Sequence, residues 1–282
     1  MAATKPGRFV LVSDGGRRGR SRVTRGLRLP RDRAIAREAD ELQRGLRFLR
    51  EGRIDALVAG GFLPSVRNGA ELHDLEEKIV LAEYYRPTRL PVVQLDPAPG
   101  VAAGVRHLAE LGHREILWTS WRSRGQEVAP ERREAFEQEA QARGLKARVV
   151  TFEQQDDAAA TRAGFIEFSQ RRWAEYLRRE PLPTAVFAYN ELNGLGLYAA
   201  LAERGLRVPR DVSVIGWDRL HDDLAVPAMT TVSLMLGEIG ARAAELAIEL
   251  AEGTRTVAEL RGARERVPAE LAVSASTAPP RA

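Results

Sequence analysis

The sequence predicts an α/β fold built on parallel sheet, and three observations carry that expectation. Short apolar runs rich in Val, Ile and Leu alternate with longer amphipathic stretches, the pattern of buried strands joined by crossover helices. One such unit is complete in residues 184–218, TAVFAYNELNGLGLYAALAERGLRVPRDVSVIGWD. The chain of 282 residues, 44% hydrophobic and 29% charged, is long enough for one large or two ordinary soluble domains with a well-buried core.

Taken in order, Arg8 to Ser13 reads as the first strand visible and residues 17–33 as an arginine-rich insertion. A helix is predicted from Asp32 to Glu51, because Ile35, Ala39, Leu42, Leu46 and Leu49 share one face and Gly52 stops it. Ile54 to Ala59 is the next strand, followed by the loop GGFLPSVRNG. Leu72, Leu75, Ile79 and Ala82 recur at helical spacing ahead of Pro87, so a second helix is expected there. Leu90 to Leu95 reads as a strand, Val101 to Leu111 as a helix and Glu115 to Thr119 as a strand from whose carboxyl end the loop SWRSRGQEVAP emerges. Pro130 opens a helix with Phe136 and Ala140 inward and Gly144 at its stop. A strand from Ala147 to Phe152 and a long helix from Asp157 to Arg179 lead into the complete unit.

In that unit Ala185 to Ala188 is a strand bounded by Pro181, Pro183 and Thr184. Asn190 is placed to cap a helix carrying Leu192, Leu195, Ala199 and Ala202, with Gly205 and Pro209 as stop signals. Val212 to Ile215 is the returning strand, which ends in Gly216, Trp217 and Asp218, and a right-handed crossover is expected. RLHDDLAVPAMTTV then reads as a crossover, Gly237 to Glu252 as a helix with Ile239, Ala243, Leu246 and Leu250 inward, and Glu270 to Ser274 as the closing strand.

Ligands of open α/β sheets sit beyond the carboxyl ends of the strands, where Asn190 and Asp218 fall. An amide and a carboxylate suit the vicinal hydroxyls of a sugar or the edge of a nucleobase, and Trp217 adds a flat apolar face. The same residues also read as a helix cap, a core aromatic and a turn former, and spacing alone does not separate the two readings.

The runs TAVFAYNELNGLG, VPRDVSVIGWD, VPAMTTV and VPAELAVSASTAPP, together with GVRHLAELGHREI at residues 104–116, resemble the effector-binding domain of the lactose-repressor/galactose-repressor (LacI/GalR) family of transcription regulators. The resemblance covers about residues 50 to 280. It implies two doubly wound parallel-sheet lobes of the periplasmic-binding-protein-like type, joined by three crossovers, with a small effector in the cleft. On that template the first lobe takes residues 1–98 and 226–252 and the second 99–225 and 253–282. MAATKPGRFVLVSD matches the end of the family's first helix running into its second strand, so the first lobe is expected to be incomplete at its N-terminus; alternatively Arg8 to Ser13 is the first strand itself. Arg132, followed by Ala135 and Phe136, matches the family's Arg-x-x-Gly-Phe with Ala in place of Gly, and the resemblance gives this arginine an effector contact. Trp121 and Gln126 from the loop before it complete the candidate set with Asn190, Trp217 and Asp218.

The charge is uneven. Residues 17–33 hold eight arginines against Asp32, a balance of +7, which leaves −3 of the net +4 for the rest. The arginine arm lacks aromatics and any helix-turn-helix pattern, so operator DNA is expected only through a helix-turn-helix that these residues do not contain. Without cysteine there is no disulfide, thiolate nucleophile or cysteine zinc site. No stretch reads as a secretion signal or membrane span, and a cytoplasmic protein without membrane contact is expected.

Enzymes are not favoured. GGRRGRS lacks the Gly-Lys-Ser/Thr of a phosphate-binding loop, there is no Gly-x-Ser-x-Gly elbow, and His73, His107, His113 and His221 lack metalloprotease spacing. Asp218, His221, Asp222 and Asp223 read as a charged loop rather than a metal site, so neither cofactor nor metal is expected. The expected function is the ligand-sensing domain of a LacI-type repressor with a small effector, a sugar ahead of a purine or nucleoside, in a homodimer. The alternative is a stand-alone cytoplasmic sugar- or nucleobase-binding module without DNA binding.

Overall fold

A computed structural model describes residues 9–12, 37–60, 78–85, 88–123, 125–154, 161–219 and 227–281. In chain order the strands are β1 (Phe9–Val12), β2 (Ala56–Gly60), β3 (Ile79–Ala82), β4 (Val92–Asp96), β5 (Glu115–Ser123), β6 (Gln126–Glu127), β7 (Lys146–Gln154), β8 (Ala185–Phe187), β9 (Ser213–Asp218), β10 (Thr230–Ser233), β11 (Arg264–Pro268) and β12 (Leu271–Ala272). The helices are α1 (Arg37–Arg50), α2 (Pro97–Glu110), α3 (Pro130–Ala142), α4 (Arg162–Arg179), α5 (Glu191–Ala202), α6 (Leu236–Glu252) and α7 (Val257–Leu260). They fall into two compact units, Met1–Leu95 with Met235–Val267 and Asp96–Leu234 with Pro268–Ala282, so the chain passes between units three times.

Unit 1 is a five-stranded sheet in the order β1-β2-β3-β4-β11, parallel from β1 to β4. Leu46 and Leu49 of α1 pack on Leu57, Ala59, Ile79, Leu81 and Val92, and α6 packs against β2 and β3 with Ile239, Ala243, Leu246 and Ala247 buried. Unit 2 is a seven-stranded sheet in the order β12-β10-β9-β8-β5-β6, with β7 paired along the length of β5. Its strands β10, β9, β8, β5 and β7 run parallel, and only the short β12 and β6 are antiparallel. Both units are therefore parallel α/β sheets covered by helices, as the fold class predicts. No helix among the described residues is long and apolar enough to cross a membrane.

Several boundaries differ from expectation for identifiable reasons. Ile79 to Ala82 is a strand, not the end of a helix; four apolar residues fit either period, and their burial between β2 and β4 decides for strand. Helix α2 starts at Pro97 rather than Val101, because the Asp96 carboxylate caps it by accepting from Ala98 N and proline fits the first turn. Residues 227–234 group with unit 2, where Thr230–Ser233 pairs with β9. Residues 253–267 belong with unit 1 because β11 lies beside β4, where Val92 N donates to Ala263 O at 2.9 Å. Strand β11, with its alternating exposure, reads Arg-Glu-Arg-Val-Pro, whose charges hid it in the sequence. The closing strand is only Leu271–Ala272. The arginine arm 17–33, the loop at 61–69, Leu72, Leu75, His73, the predicted helix start at Asp157 and residues 221–223 lie outside the described residues.

The last residues of unit 2 are held by two histidines. His107 Nε2 lies 2.8 Å from Thr277 Oγ1, and His113, 1% exposed, places Nδ1 3.0 Å from Thr184 Oγ1 and Nε2 3.0 Å from the Ala278 carbonyl. A carbonyl only accepts, so Nε2 carries the proton and Nδ1 accepts from the threonine hydroxyl. Burial pushes His113 below the ordinary imidazole range, against the opposing pull of the Ala278 carbonyl. Below about pH 6.5 the unfolded chain therefore binds more protons than the folded one at this site, and the site's contribution to stability falls as pH falls. Urea unfolding at pH 7.5 and 5.5 tests this: the midpoint loss on acidification should be smaller in His113→Gln than in the native chain. An equal loss in both would exclude His113 as its source.

Candidate functional site

In unit 2 the parallel strands β5, β8 and β9 end on the same side of the sheet, and the start of α3, the β8–α5 turn and the end of β9 meet there. Arg132 stands in the first turn of α3. Helix entry is set by Pro130 and by Ala129, whose φ of +54° is left-handed. One turn on, the fully buried Phe136 stacks on Trp118 at 5.1 Å between ring centroids, Trp118 lies 4.9 Å from Phe187, and Phe187 lies 6.5 Å from Trp217. This aromatic row crosses β5, β8 and β9 and ends on the ring that carries Arg132, whose guanidinium carbon lies 4.2 Å from the Trp217 centroid. A cation over a ring face at this distance contributes about 0.5–2 kcal/mol. Neighbouring Arg133 is occupied elsewhere: it donates to Glu127 at 2.9 Å and Glu137 at 2.6 Å, and Ser120 donates to the same Glu127 at 2.6 Å, which ties β5, β6 and α3 together.

Asp218 ends β9 with φ +105°, and Arg219 follows with φ +52°. Sparsely populated backbone of this kind costs about 1–3 kcal/mol per residue and clusters at functional sites. Burial pushes the Asp218 carboxyl up to about 7; Arg132 acts in the opposite direction, and Glu191, 3% exposed, adds to the rise. Tyr189 is pushed up to about 12, first by burial, with Arg132 opposing and Asp218 reinforcing. Asn190 caps α5: its Oδ1 accepts from Asn193 N at 2.8 Å, and its Nδ2 hydrogens have no partner among the described residues. Capping and ligand contact are compatible, since they use different ends of the amide.

The structure thus brings Arg132, Trp217, Asp218 and Asn190 to one end of the sheet. Trp217 is 0% exposed with Arg132 over its face, so it backs the arginine and offers no open ring; its indole Nε1 is buried without a partner among the described residues. Trp121 is 3% exposed, stacked on Phe165 at 4.5 Å and Tyr189 at 5.8 Å. Gln126 is exposed on β6, paired through its backbone with Ser123. Tyr189 and Glu191, which sequence reasoning did not single out, lie at the same end of the sheet and act on Asp218 or feel its charge. Helix α5 is apolar nearly all round, and its buried side carries Glu191, Asn193, Gly194, Leu197 and Leu201 rather than the Leu192, Leu195, Ala199 and Ala202 series. No group of three or more His, Cys, Asp or Glu side chains able to hold a metal occurs among the described residues.

Residues 105–277 match the family model of the periplasmic binding protein-like domain. The HTH-type transcriptional repressor PurR of Actinobacillus pleuropneumoniae is 28% identical over 182 residues, which cover 59% of this chain and 52% of that protein, so the chain spans about half the length of this curated relative. Among solved structures, a LacI family transcriptional regulator from Arthrobacter sp. FB24 in complex with lactose superposes with a TM-score of 0.64 at 21% identity, over 83% of this chain and 82% of that one. A LacI family regulator from Enterococcus faecium with bound ribose gives 0.63 at 21% identity, over 84% and 83%.

The raised carboxyl of Asp218 has a stability consequence of definite sign. The folded chain holds the proton up to about pH 7, whereas an unfolded aspartate loses it near 4, so the residue's contribution declines as pH rises through that window. Asp218→Asn, which tolerates the left-handed backbone and cannot ionise, should raise the thermal midpoint relative to the native chain at pH 8 and by a smaller amount at pH 5, where only the lower part of that window has been crossed. A variant less stable at pH 8 would show that the carboxylate is not desolvated.

Proposed function

We propose a function from one premise: this chain belongs to the periplasmic binding protein-like domain family, as an effector-binding domain of the LacI type. On that premise it is the ligand-sensing part of a cytoplasmic transcriptional repressor, it works as a homodimer, and its effector is a small sugar. The observation that carries the ligand assignment is the Arg132 guanidinium over the Trp217 ring and beside the Asp218 carboxyl, with the Asn190 amide on the neighbouring turn. A fork of donors, a carboxyl and a free amide edge fit adjacent ring hydroxyls, each of which both donates and accepts.

A planar base is less well served by unit 2. The Trp217 face is taken by Arg132, and Trp121 is enclosed by Phe165, Phe168 and Tyr189, so neither indole in the set leaves a face for stacking. The related regulators solved with lactose and with ribose support a sugar as well. Effector control then follows as a shift between two arrangements of the domain, driven by whatever difference in affinity the sugar has for them.

A thermal-shift screen over monosaccharides, disaccharides and purines tests the assignment. A specific ligand at 100 times its Kd should stabilise the chain by about 2.7 kcal/mol. For the sugar that does so, Arg132→Ala and Asp218→Ala should each weaken binding by about 2 kcal/mol or more in calorimetry, because each removes a charge-assisted hydrogen bond. Unchanged affinity in both variants would move the site elsewhere, and a response to purines alone would replace the sugar by a base.

A further inference from the structure

Beneath the β8–α5 turn lies a chain of buried polar groups. Thr119 on β5, Asn193 on α5 and Ser169 on α4 are each 0% exposed. Asn193 Nδ2 donates to Ser169 Oγ at 3.4 Å, Thr119 Oγ1 donates to Asn193 Oδ1 at 3.1 Å, and the same Thr119 oxygen accepts from the backbone N–H of Tyr189. The chain closes on itself at the other end, since Asn193 N donates to the side chain of Asn190. Both residues of the turn, Tyr189 through its backbone and Asn190 through its cap, therefore rest on Thr119 and Asn193.

Polar groups in such a position are unnecessary for packing. The strands and helices that carry them contribute Leu117, Phe168, Val186, Ala188 and Leu197 to one apolar cluster, and an apolar side chain of similar volume could take the Asn193 position. What Asn193 adds is direction, because an amide that must accept from Thr119 and donate to Ser169 has one orientation. Helix α5 is held close enough for these bonds by Gly196, where an added Cβ would lie 2.5 Å from Ser169 Cβ and 2.8 Å from Gln170 N.

We infer that Thr119 and Asn193 are positioning residues, which hold the Tyr189–Asn190 turn so that the free Nδ2 end of Asn190 faces the effector. The inference rests on the sugar-binding reading for the role of Asn190, but the restraint itself is measurable without a ligand. Amide hydrogen exchange is compared in the native chain, Thr119→Val, Thr119→Ser and Asn193→Leu, each at the same interval below its own thermal midpoint. In Thr119→Val and Asn193→Leu the Tyr189, Asn193 and Gly194 amides should exchange at least tenfold faster relative to Val214 and Ile215 of the same protein. Thr119→Ser, which keeps the hydroxyl, should leave that ratio as in the native chain. If neither apolar variant folds, Ser169→Ala, which removes only the outermost link, should move the ratio in the same direction.

An unchanged ratio in the apolar variants, or in Ser169→Ala where it replaces them, overturns the inference. So does an equal change in Thr119→Ser, which would make the effect one of packing. Titration with D-ribose and with lactose then separates the two levels. A bound sugar that loses at least tenfold affinity in Thr119→Val and less than threefold in Thr119→Ser supports positioning of the effector contact, and a loss equal in both variants contradicts it. A moved exchange ratio with neither sugar bound keeps the restraint and removes the sugar reading.

Discussion

Taking a carboxylate out of water is the constraint around which the end of the unit 2 sheet is built. An unpaired buried charge costs several kcal/mol, and the usual escape is to take up a proton. Asp218 sits at that balance: burial and Glu191 favour the acid, Arg132 favours the anion, and the result is a group poised near neutrality. Such poise is of little use to packing. It does suit a group that exchanges water for ligand hydroxyls, because a partner that donates hydrogen bonds can tip the balance toward the anion.

The surrounding architecture maintains this arrangement. Arg132 is effective only if its guanidinium stays in place, and its place is set at two removes: the helix enters at Ala129 and Pro130, and Phe136 locks the next turn into the row Trp118, Phe187 and Trp217. Arg133 with Glu127 and Ser120 binds the same turn to the β5–β6 hairpin. On the other side, Met229 fills the space left open by Gly194 and Gly216, where added Cβ atoms would lie 2.7 and 2.5 Å from its side chain. That close approach brings the start of α5, with Asn190 and Glu191, up to the end of β9. The left-handed backbone at Asp218 and Arg219 is then the cost of turning the chain away without withdrawing the carboxyl.

Much of this was legible in the sequence because parallel strands are buried on both faces and announce themselves as apolar runs. The positions of β2, β8 and β9 are legible to within a few residues, and with them the place of Asn190, Trp217 and Asp218 beyond or at strand carboxyl ends. Arg132 came from the resemblance; periodicity alone makes it one of several arginines among glutamates. The elements that were misread lack a periodic signal. Ile79–Ala82 is too short to show a period, and β11 carries arginine and glutamate at an edge. Helix α5 is apolar on nearly every side, so the sequence could not show that Glu191 and Asn193 point inward. The open face expected of Trp217 failed to appear for a related reason: a sequence shows that an aromatic is present at a strand end, not that an arginine one helix away will cover it.

The electrostatic core of this account can be measured without knowing the ligand. Carbon-13 NMR of the Asp218 side-chain carboxyl, followed from pH 4 to 9, should give a midpoint of about 7 in the native chain, and a higher one in Arg132→Met, where the opposing cation is gone. A midpoint near 4, the value of a solvated aspartate, or one that Arg132→Met leaves unmoved, would contradict it.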